Sequence, residues 1–264
     1  MPSIEEMDPI NIAILKEQKQ SHLEYNFVVW ANEDASKIIG VTFDKIKDKK
    51  VENRHLLLYL VKKLTASGLP IILVEHNFFK KDIKVIDANK DRTNKYSVST
   101  DELEELILRK FEISNTSSDR ENMKSVNKDE KVQDLFHVWS RETFGTKIKK
   151  IDIDCLLFKD YVMATIEVKN TKIGGLSIES WQPFNSDQVN YKIAALFSEN
   201  FLSCDFITLH YQRKSKENTS TNSEDIDIGL WPYNPDFMQF RSKNNWKKTT
   251  LSQVINHYIK KDDL

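Results

Sequence analysis

The chain has 264 residues, of which 39% are hydrophobic, 30% charged and 10% aromatic. This is the composition of a globular protein, and the length suffices for one large domain or two small ones. The formal net charge of −1 argues against a generally basic surface for nucleic acid or membrane, so any basic patch must be local.

The predicted compartment is the cytoplasm. Only two cysteines are present, Cys155 and Cys204, and both lie in apolar runs typical of strands, which favours a reducing environment. The amino terminus MPSIEEMDPIN is acidic and lacks the apolar core of a signal peptide. No apolar stretch approaches the ~20 residues of a membrane span, so no membrane partner is expected.

Helical and strand patterns alternate in the first part of the chain. In chain order the predicted elements are a helix from Ile10 to about Asn26, a strand in NFVVWA, a helix in HLLLYLVKKLTASG, strands in LPIILVEHNF and DIKVIDA, and a helix in STDELEELILRKFEI. Gly68 is expected to stop the second of these helices, and a capping box at Thr100 is expected to start the third.

A polar segment, SNTSSDRENMKSVNKDE, interrupts these patterns and is typical of a linker because it is almost free of apolar residues. We therefore predict an N-terminal α/β region at 1–115, a linker at 116–129 and a second domain at 130–264. Recognition of the substrate, formation of a homodimer and sensing of an effector are alternative roles for residues 1–115.

The second part of the chain again mixes helices and strands. The predicted elements are a helix in EKVQDLFHVWSRETFG, a hairpin in IDIDCLLFKDYVMATIEVKN, a strand in GGLSIES, a helix in DQVNYKIAALFSENF, a strand in DFITLHYQR and a closing helix in LSQVINHYIKK. This order predicts a mixed α/β unit, and no internal sequence repeat is visible.

The predicted hairpin at 151–170 carries charges on two otherwise apolar strands. Side chains alternate along a strand, so Asp152 and Asp154 share one face, and Glu167 and Lys169 share a face of the second strand. A two-residue turn at Asp160 and Tyr161, or a four-residue turn in the same register, would pair Asp154 with Glu167 and Asp152 with Lys169. A three-residue turn would instead place the two acid sets on opposite faces.

Two carboxylates about 5 Å apart across a ladder repel each other, and a divalent cation removes that penalty. Carboxylate oxygens suit Mg²⁺ or Mn²⁺, and Lys169 on the same face can orient water or stabilise charge on a phosphate. Metal, two acids and a lysine are the parts needed to hydrolyse a phosphodiester. The alternative is a half-exposed hairpin in which Asp152 and Lys169 form an ordinary ion pair and Glu167 is solvated.

Asp154, followed after twelve residues by Glu167-Val168-Lys169 on a hairpin, resembles the PD-(D/E)XK nuclease superfamily, which includes restriction endonucleases and RecB-type nucleases. The resemblance implies a restriction-endonuclease-like core, a mixed central sheet flanked by helices. It also implies that Asp154 and Glu167 are Mg²⁺ ligands, and that these two acids and Lys169 are catalytic. The resemblance covers about a third of the chain, and the proline that often precedes the first acid is replaced by Ile153.

The same resemblance suggests auxiliary residues. Members often add an acid from the preceding helix, for which Glu130, Asp134 and Glu142 are alternatives, and Asp152 is a further auxiliary acid on the hairpin. Gln188 and Tyr191 resemble the glutamine–tyrosine motif of RecB-like members, although their spacing is one residue short. An exposed Gln188 and a core Tyr191 are the alternative interpretation.

A basic segment near the carboxyl end, RSKNNWKK, interleaves lysines and an arginine with a tryptophan, as a surface that follows phosphates and stacks on a base would. A solvated loop with one core tryptophan is the alternative. The residues predicted to contact nucleic acid are Arg241, Lys243, Trp246, Lys247 and Lys248.

These observations predict a DNA endonuclease that depends on Mg²⁺ or Mn²⁺, of the restriction or phage-defence type. A catalytically silent nuclease fold that binds DNA or a partner is one alternative. An RNA-cleaving enzyme is the other, because nothing in the sequence distinguishes ribose from deoxyribose.

Overall fold

The structure is a computed structural model of the chain, and it divides into two units. One unit comprises residues 24–152, and the other comprises residues 1–23 together with 153–264. The structure describes residues 14, 25–46, 54–77, 82–88, 94–114, 135–145, 148–171, 181–183, 185–213, 226–234, 239–240 and 250–260.

The unit at 24–152 is built on a six-stranded sheet. Its elements are β1 (Asn26–Asn32), β2 (Ile38–Ile46), α1 (Arg54–Ala66), β3 (Ile71–Asn77), β4 (Asp82–Asp87), β5 (Tyr96–Val98), α2 (Thr100–Lys110), α3 (Leu135–Phe144) and β6 (Ile148–Asp152). The strand order is β5-β4-β3-β2-β1-β6, and only β2 and β3 run parallel, linked by α1.

Helices cover both faces of this sheet, which explains why the five central residues of β1 are all buried. Buried residues of α2 and α3 pack with Val28 and Trp30 on one face. Phe27 and Phe43 point to the other face because side chains alternate, and they too are buried. The buried row of α1, which includes Leu60 and is the crossover between β2 and β3, therefore covers that second face.

The other unit is built on a five-stranded sheet. Its strands and helices are β7 (Cys155–Phe158), β8 (Val162–Thr171), α4 (Gln188–Phe197), β9 (Asp205–Arg213), β10 (Ile226–Asn234), β11 (Gln239–Phe240) and α5 (Leu251–Lys260). The strand order is β11-β10-β9-β8-β7; β8 and β9 run parallel, with α4 as their crossover, and the other neighbours are antiparallel.

The two faces of this sheet are also covered. Apolar residues of β7 to β10 form one core with α5 and with Ile14 from the amino-terminal segment. On the opposite face, the hydroxyl groups of Thr165 in β8 and Ser198 hydrogen-bond each other. Tyr191 of α4 packs against Phe206 of β9 on this face. The mixed α/β class predicted from the sequence is therefore confirmed.

Most predicted elements are confirmed within one or two residues, and two details are corrected. The capping box of α2 exists, but it is made by Ser99 and Glu102 rather than beginning at Thr100. Strands β2, β5, β10 and β11 were not predicted. The predicted strand GGLSIES, and all of the predicted helix at 10–26 except Ile14 and residues 25–26, lie outside the described residues.

The division into units differs from the predicted boundaries of 1–115, 116–129 and 130–264. The chain changes unit between Asp152 and Ile153, because β6 pairs with β1 and because Phe136 of α3 lies in the core of the unit at 24–152. Residues 1–23 belong instead to the unit that contains β8. The predicted linker at 116–129 lies outside the described residues.

No helix among the described residues is long and apolar enough to cross a membrane.

The position of Ile14 leads to a prediction about domain organisation. Ile14 is fully buried in the core of β7 to β10, so Ile14→Ala should destabilise that unit by about 2–5 kcal/mol. Chemical denaturation monitored by hydrogen exchange at β8 and β9 measures this effect. Leu58→Ala, at a side chain that is 60% exposed, is the control and should change little. Unchanged protection in Ile14→Ala would contradict the assignment of 1–23 to this unit.

Candidate functional site

The candidate site lies on the face of β8 that α4 covers. Glu167 and Lys169 occupy alternate positions of β8 and therefore share this face, as predicted from the alternation of side chains. Each side chain is 23% exposed, and the Lys169 ammonium lies 2.7 Å from Oε1 of Glu167. Strand β8 pairs with β7 up to Ile166, and Glu167 and Lys169 lie just beyond, where β8 pairs with Thr208 and His210 of β9.

The register of the predicted hairpin is confirmed over part of its length. Cys155 pairs with Ile166 and Leu157 with Ala164, as the predicted register requires. After Leu157 the register shifts, so that Phe158 pairs with Val162 rather than with Met163.

Asp154 precedes β7, and the ladder ends one position short of it, at Cys155 and Ile166, so the predicted pair of Asp154 with Glu167 is not part of the ladder. Oδ2 of Asp154 accepts a hydrogen bond of 2.9 Å from the backbone N–H of Val168, the residue between Glu167 and Lys169. The structure thus brings Asp154 to the segment that carries the other two predicted residues, through the side chain rather than the ladder.

The predicted pair between Asp152 and Lys169 is wrong. Asp152 is the last residue of β6, where it pairs with Val28 in the sheet of the unit at 24–152. Its carboxylate is 48% exposed and lies 3.7 Å from Nδ1 of His137. The strand that the sequence suggested as one piece is divided between two sheets, and the break falls between Asp152 and Cys155.

Lys169 has a second acidic partner that the sequence analysis missed. Oδ2 of Asp187, which ends a short 3₁₀ turn directly before α4, lies 3.1 Å from the Lys169 ammonium. The same oxygen accepts a hydrogen bond of 3.4 Å from the hydroxyl of Tyr191. A signal for this residue is present in the sequence, because an acid four residues before a tyrosine lies on the same face of a helix.

Of the two residues predicted on α4, the structure joins only one to the site. The buried Tyr191 ring lies 5.8 Å from the Lys169 ammonium, within the range of a cation–π contact. Gln188 is exposed, and its amide bonds to Asn185 at 3.3 Å. The side-chain amide of the predicted motif's glutamine is thus bonded to Asn185 and is given no role in the site.

The electrostatics of the site keep Lys169 charged. Burial alone would lower the pKa of Lys169, but the charge and hydrogen bond of Glu167, with smaller contributions from Tyr191 and Asp187, raise the pKa above its ordinary value. The pair is only partly buried, so solvent weakens its contribution to stability.

His210 of β9 is the register partner of Lys169 and is fully buried. Its ring stacks on Trp181 with a centroid separation of 4.2 Å, and Trp181 contacts the edge of Trp231. Burial lowers the pKa of His210 to about 4, so the imidazole is neutral at neutral pH. A neutral aromatic cluster therefore borders the charged residues of the site.

The carboxylates of the site suit a hard divalent cation. Asp154 and Glu167 offer carboxylate oxygens, and Mg²⁺ is commonly held by one or two protein carboxylates together with water and substrate phosphate. Within the described ranges, no group of three or more His, Cys, Asp and Glu side chains is placed to hold a metal. The residues present therefore fit a site with two carboxylates that substrate completes, and do not form a closed metal cage.

Several predicted residues do not enter this description. Glu142 is an exposed residue of α3 in the unit at 24–152. The remaining predicted residues, Glu130, Asp134, Arg241, Lys243, Trp246, Lys247 and Lys248, lie outside the described residues.

Family models, curated proteins and solved structures were each compared with the chain, and none of the three comparisons gives a match. Function must therefore be inferred from the chemistry of the site.

Burial of His210 makes the stability of this unit depend on pH. The pKa of His210 is about 4 in the folded chain and 6.5 ordinarily. Between these two pH values the unfolded chain therefore binds a proton at His210 that the folded chain does not. The free energy of unfolding should be highest above pH 6.5 and should fall by roughly 3 kcal/mol from this group as the pH drops to 4.

Denaturant titrations between pH 4 and 8 measure this dependence. His210→Gln should flatten the acid limb of the curve, whereas His257→Gln, at an exposed histidine of α5, should leave it unchanged. Equal slopes in wild type and His210→Gln would show that His210 does not cause the loss.

Proposed function

We propose that the chain is a divalent-metal-dependent endonuclease that hydrolyses phosphodiester bonds in DNA, of the restriction or phage-defence type, with a PD-(D/E)XK site. The single observation that carries the proposal is the hydrogen bond between the Asp154 carboxylate and the N–H of Val168. It places the first acid beside the Glu167-Val168-Lys169 triplet, the constellation for which the sequence resembles these nucleases.

The surroundings of the triplet support the same chemistry. The mixed sheet with a crossover helix between its parallel strands agrees with a restriction-endonuclease-like core, and Lys169 contacts Asp187, the residue directly before that helix. Partial exposure of Glu167 and Asp187, at 23% and 28%, leaves them accessible from solvent. A polar cluster that opens to solvent at the ends of buried strands is suited to bind a charged substrate.

In the proposed mechanism Asp154 and Glu167 would hold Mg²⁺ or Mn²⁺. The cation supplies Lewis acidity at the scissile phosphate and lowers the pKa of water at the site. The Val168 N–H donates to Oδ2 of Asp154 and thereby orients this carboxylate next to β8. Such orientation of a ligand by a neighbouring donor is a common requirement for metal affinity.

Lys169 supplies positive charge to the phosphate during cleavage. Its ammonium is held between two carboxylates, so its position is fixed before substrate arrives. A preorganised charge costs no reorganisation when negative charge develops on the phosphate oxygens, and removal of one such group typically costs 10²–10³ in rate.

The first test is cleavage by variants of the three central residues. Asp154→Asn, Glu167→Gln and Lys169→Met should each reduce cleavage of supercoiled plasmid by at least about 100-fold, because each removes a charge from the reacting centre. Assays with Mg²⁺, Mn²⁺ or EDTA measure the rate, and circular dichroism checks that the variants fold. Asp205→Asn, at an exposed acid of β9, should keep full activity.

The substrate in this assay separates the alternatives. Full activity of Glu167→Gln would contradict the assignment of the catalytic site. Cleavage of RNA but not of plasmid would favour the RNA-cleaving enzyme, and cleavage of neither would favour a silent nuclease fold.

Metal binding can be tested without substrate. The Asp154 carboxylate accepts from the N–H of the residue that follows Glu167. If the two acids hold one ion, Mn²⁺ at about 100 times its Kd should stabilise the protein by roughly 2.7 kcal/mol and raise its Tm. Differential scanning calorimetry measures the shift, which should disappear in Asp154→Asn. A shift of the same size in wild type and Asp154→Asn would indicate ion effects that do not involve this site.

A further inference from the structure

If the proposed function holds, the Glu167 carboxylate has to bind both a metal ion and Lys169. It is a proposed metal ligand, and its Oε1 is also the nearer partner of the Lys169 ammonium at 2.7 Å. One carboxylate that serves a lysine is a weaker ligand for a cation, because the ammonium competes with and repels the metal. The site needs another anion to hold Lys169.

We propose that Asp187 is that anion: it positions Lys169 when Glu167 turns to a divalent cation. The inference rests on the proposed function and adds a fourth residue to the site. Its basis is the 3.1 Å contact between Oδ2 of Asp187 and the Lys169 ammonium, which leaves the lysine an acidic partner that does not depend on Glu167.

Asp187 and Glu167 reach Lys169 from different elements. Glu167 lies two residues from Lys169 on β8, whereas Asp187 ends the 3₁₀ turn at 185–187 and precedes α4. The Tyr191 hydroxyl, one helical turn further along, donates to the same Oδ2 that faces Lys169. The position of Asp187 is therefore set by the helix and can persist when the Glu167 side chain rotates away.

The net charge of the four side chains matches the charge of one dication. Asp154, Glu167 and Asp187 are acids and Lys169 is a cation, so the four side chains together carry a net charge of −2 when all are ionised. One Mg²⁺ or Mn²⁺ neutralises that charge. Without Asp187 the group would carry −1, and the metal would have to displace Lys169 from its one remaining partner in the group.

Binding of Mn²⁺ in the absence of nucleic acid tests this role directly. Electron paramagnetic resonance of free Mn²⁺ gives the Kd, and Asp187→Asn should weaken binding about tenfold because the Lys169 ammonium then competes with the metal for Glu167. Asp187→Glu keeps the charge and should restore most of the affinity. Asp205→Asn makes the same chemical change at an exposed acid of the same unit and should bind as wild type does.

A double variant distinguishes a residue that positions Lys169 from a metal ligand. In a Lys169→Met background the further change Asp187→Asn should lose most of its effect, because the group on which it acts is gone. An undiminished loss would make Asp187 a direct ligand and overturn the inference. Asp187→Asn with the affinity of the wild type would overturn it as well.

The same experiments distinguish a failure of the proposed function from a failure of the role of Asp187. If the wild type binds no Mn²⁺ and cuts neither DNA nor RNA, both the function and the role of Asp187 fall. If the wild type binds Mn²⁺ and cuts, while Asp187→Asn changes neither affinity nor cleavage, only the role of Asp187 falls. Should Asp187→Asn not fold, Asp187→Glu with Tyr191→Phe supplies the comparison, since Tyr191→Phe removes the hydrogen bond to Asp187 and should weaken Mn²⁺ binding by a smaller factor.

Discussion

The hydrogen bond between the Asp154 carboxylate and the Val168 N–H is the contact on which the candidate site depends. The first strand of the predicted hairpin begins at Ile151, yet the structure divides it, because β6 pairs with β1 in one sheet and β7 pairs with β8 in the other. The chain must therefore leave a ladder within the two residues between these strands. The partly buried Val168 N–H lies beyond the last β8 residue that pairs with β7, and the Asp154 side chain provides its acceptor.

This break explains which parts of the site the sequence predicts. Alternation along β8 depends only on local backbone geometry, so the shared face of Glu167 and Lys169 is predictable. The partners of Asp152 and Asp154 depend on a choice between two sheets, and no local pattern encodes that choice. Asp187 reaches Lys169 because the crossover helix returns over β8, which is a property of the tertiary fold rather than of spacing.

The helices and strands are likewise predictable only where the local sequence pattern determines them. Amphipathic helices such as α1, with Gly68 in a left-handed conformation at its end, are recognisable because period and stop signal agree. Strand β2 is harder to recognise, since Gly40, Asp44 and Lys45 interrupt its apolar pattern. Gly40 is required by packing, because a Cβ there would lie 2.3 Å from the Phe111 ring. Such a requirement comes from a residue about 70 positions away and leaves no local signal.

The two units share one order of elements although the sequence shows no repeat. Each has an antiparallel hairpin, a crossover helix, a parallel third strand, two antiparallel strands and then a helix, and the unit at 24–152 adds α3 and β6 after this series. They differ in what the second strand of the hairpin carries on the face of the crossover helix. In one unit this strand carries Glu167 and Lys169 near its carboxyl end, and in the other it carries Phe43 and Lys45.

The chemistry of these two positions separates the units. Phe43 stacks on Phe27 at a centroid separation of 4.7 Å, so an apolar pair fills this part of the unit at 24–152. Lys45 lies 3.4 Å from Glu75, a structural ion pair within that sheet. A stacked aromatic pair contributes packing energy but no oxygen to a cation. A common topology thus carries a stacked aromatic pair in one unit and the cluster of Glu167, Lys169 and Asp187 in the other, so the proposed activity rests on the side chains of β8 and not on the fold.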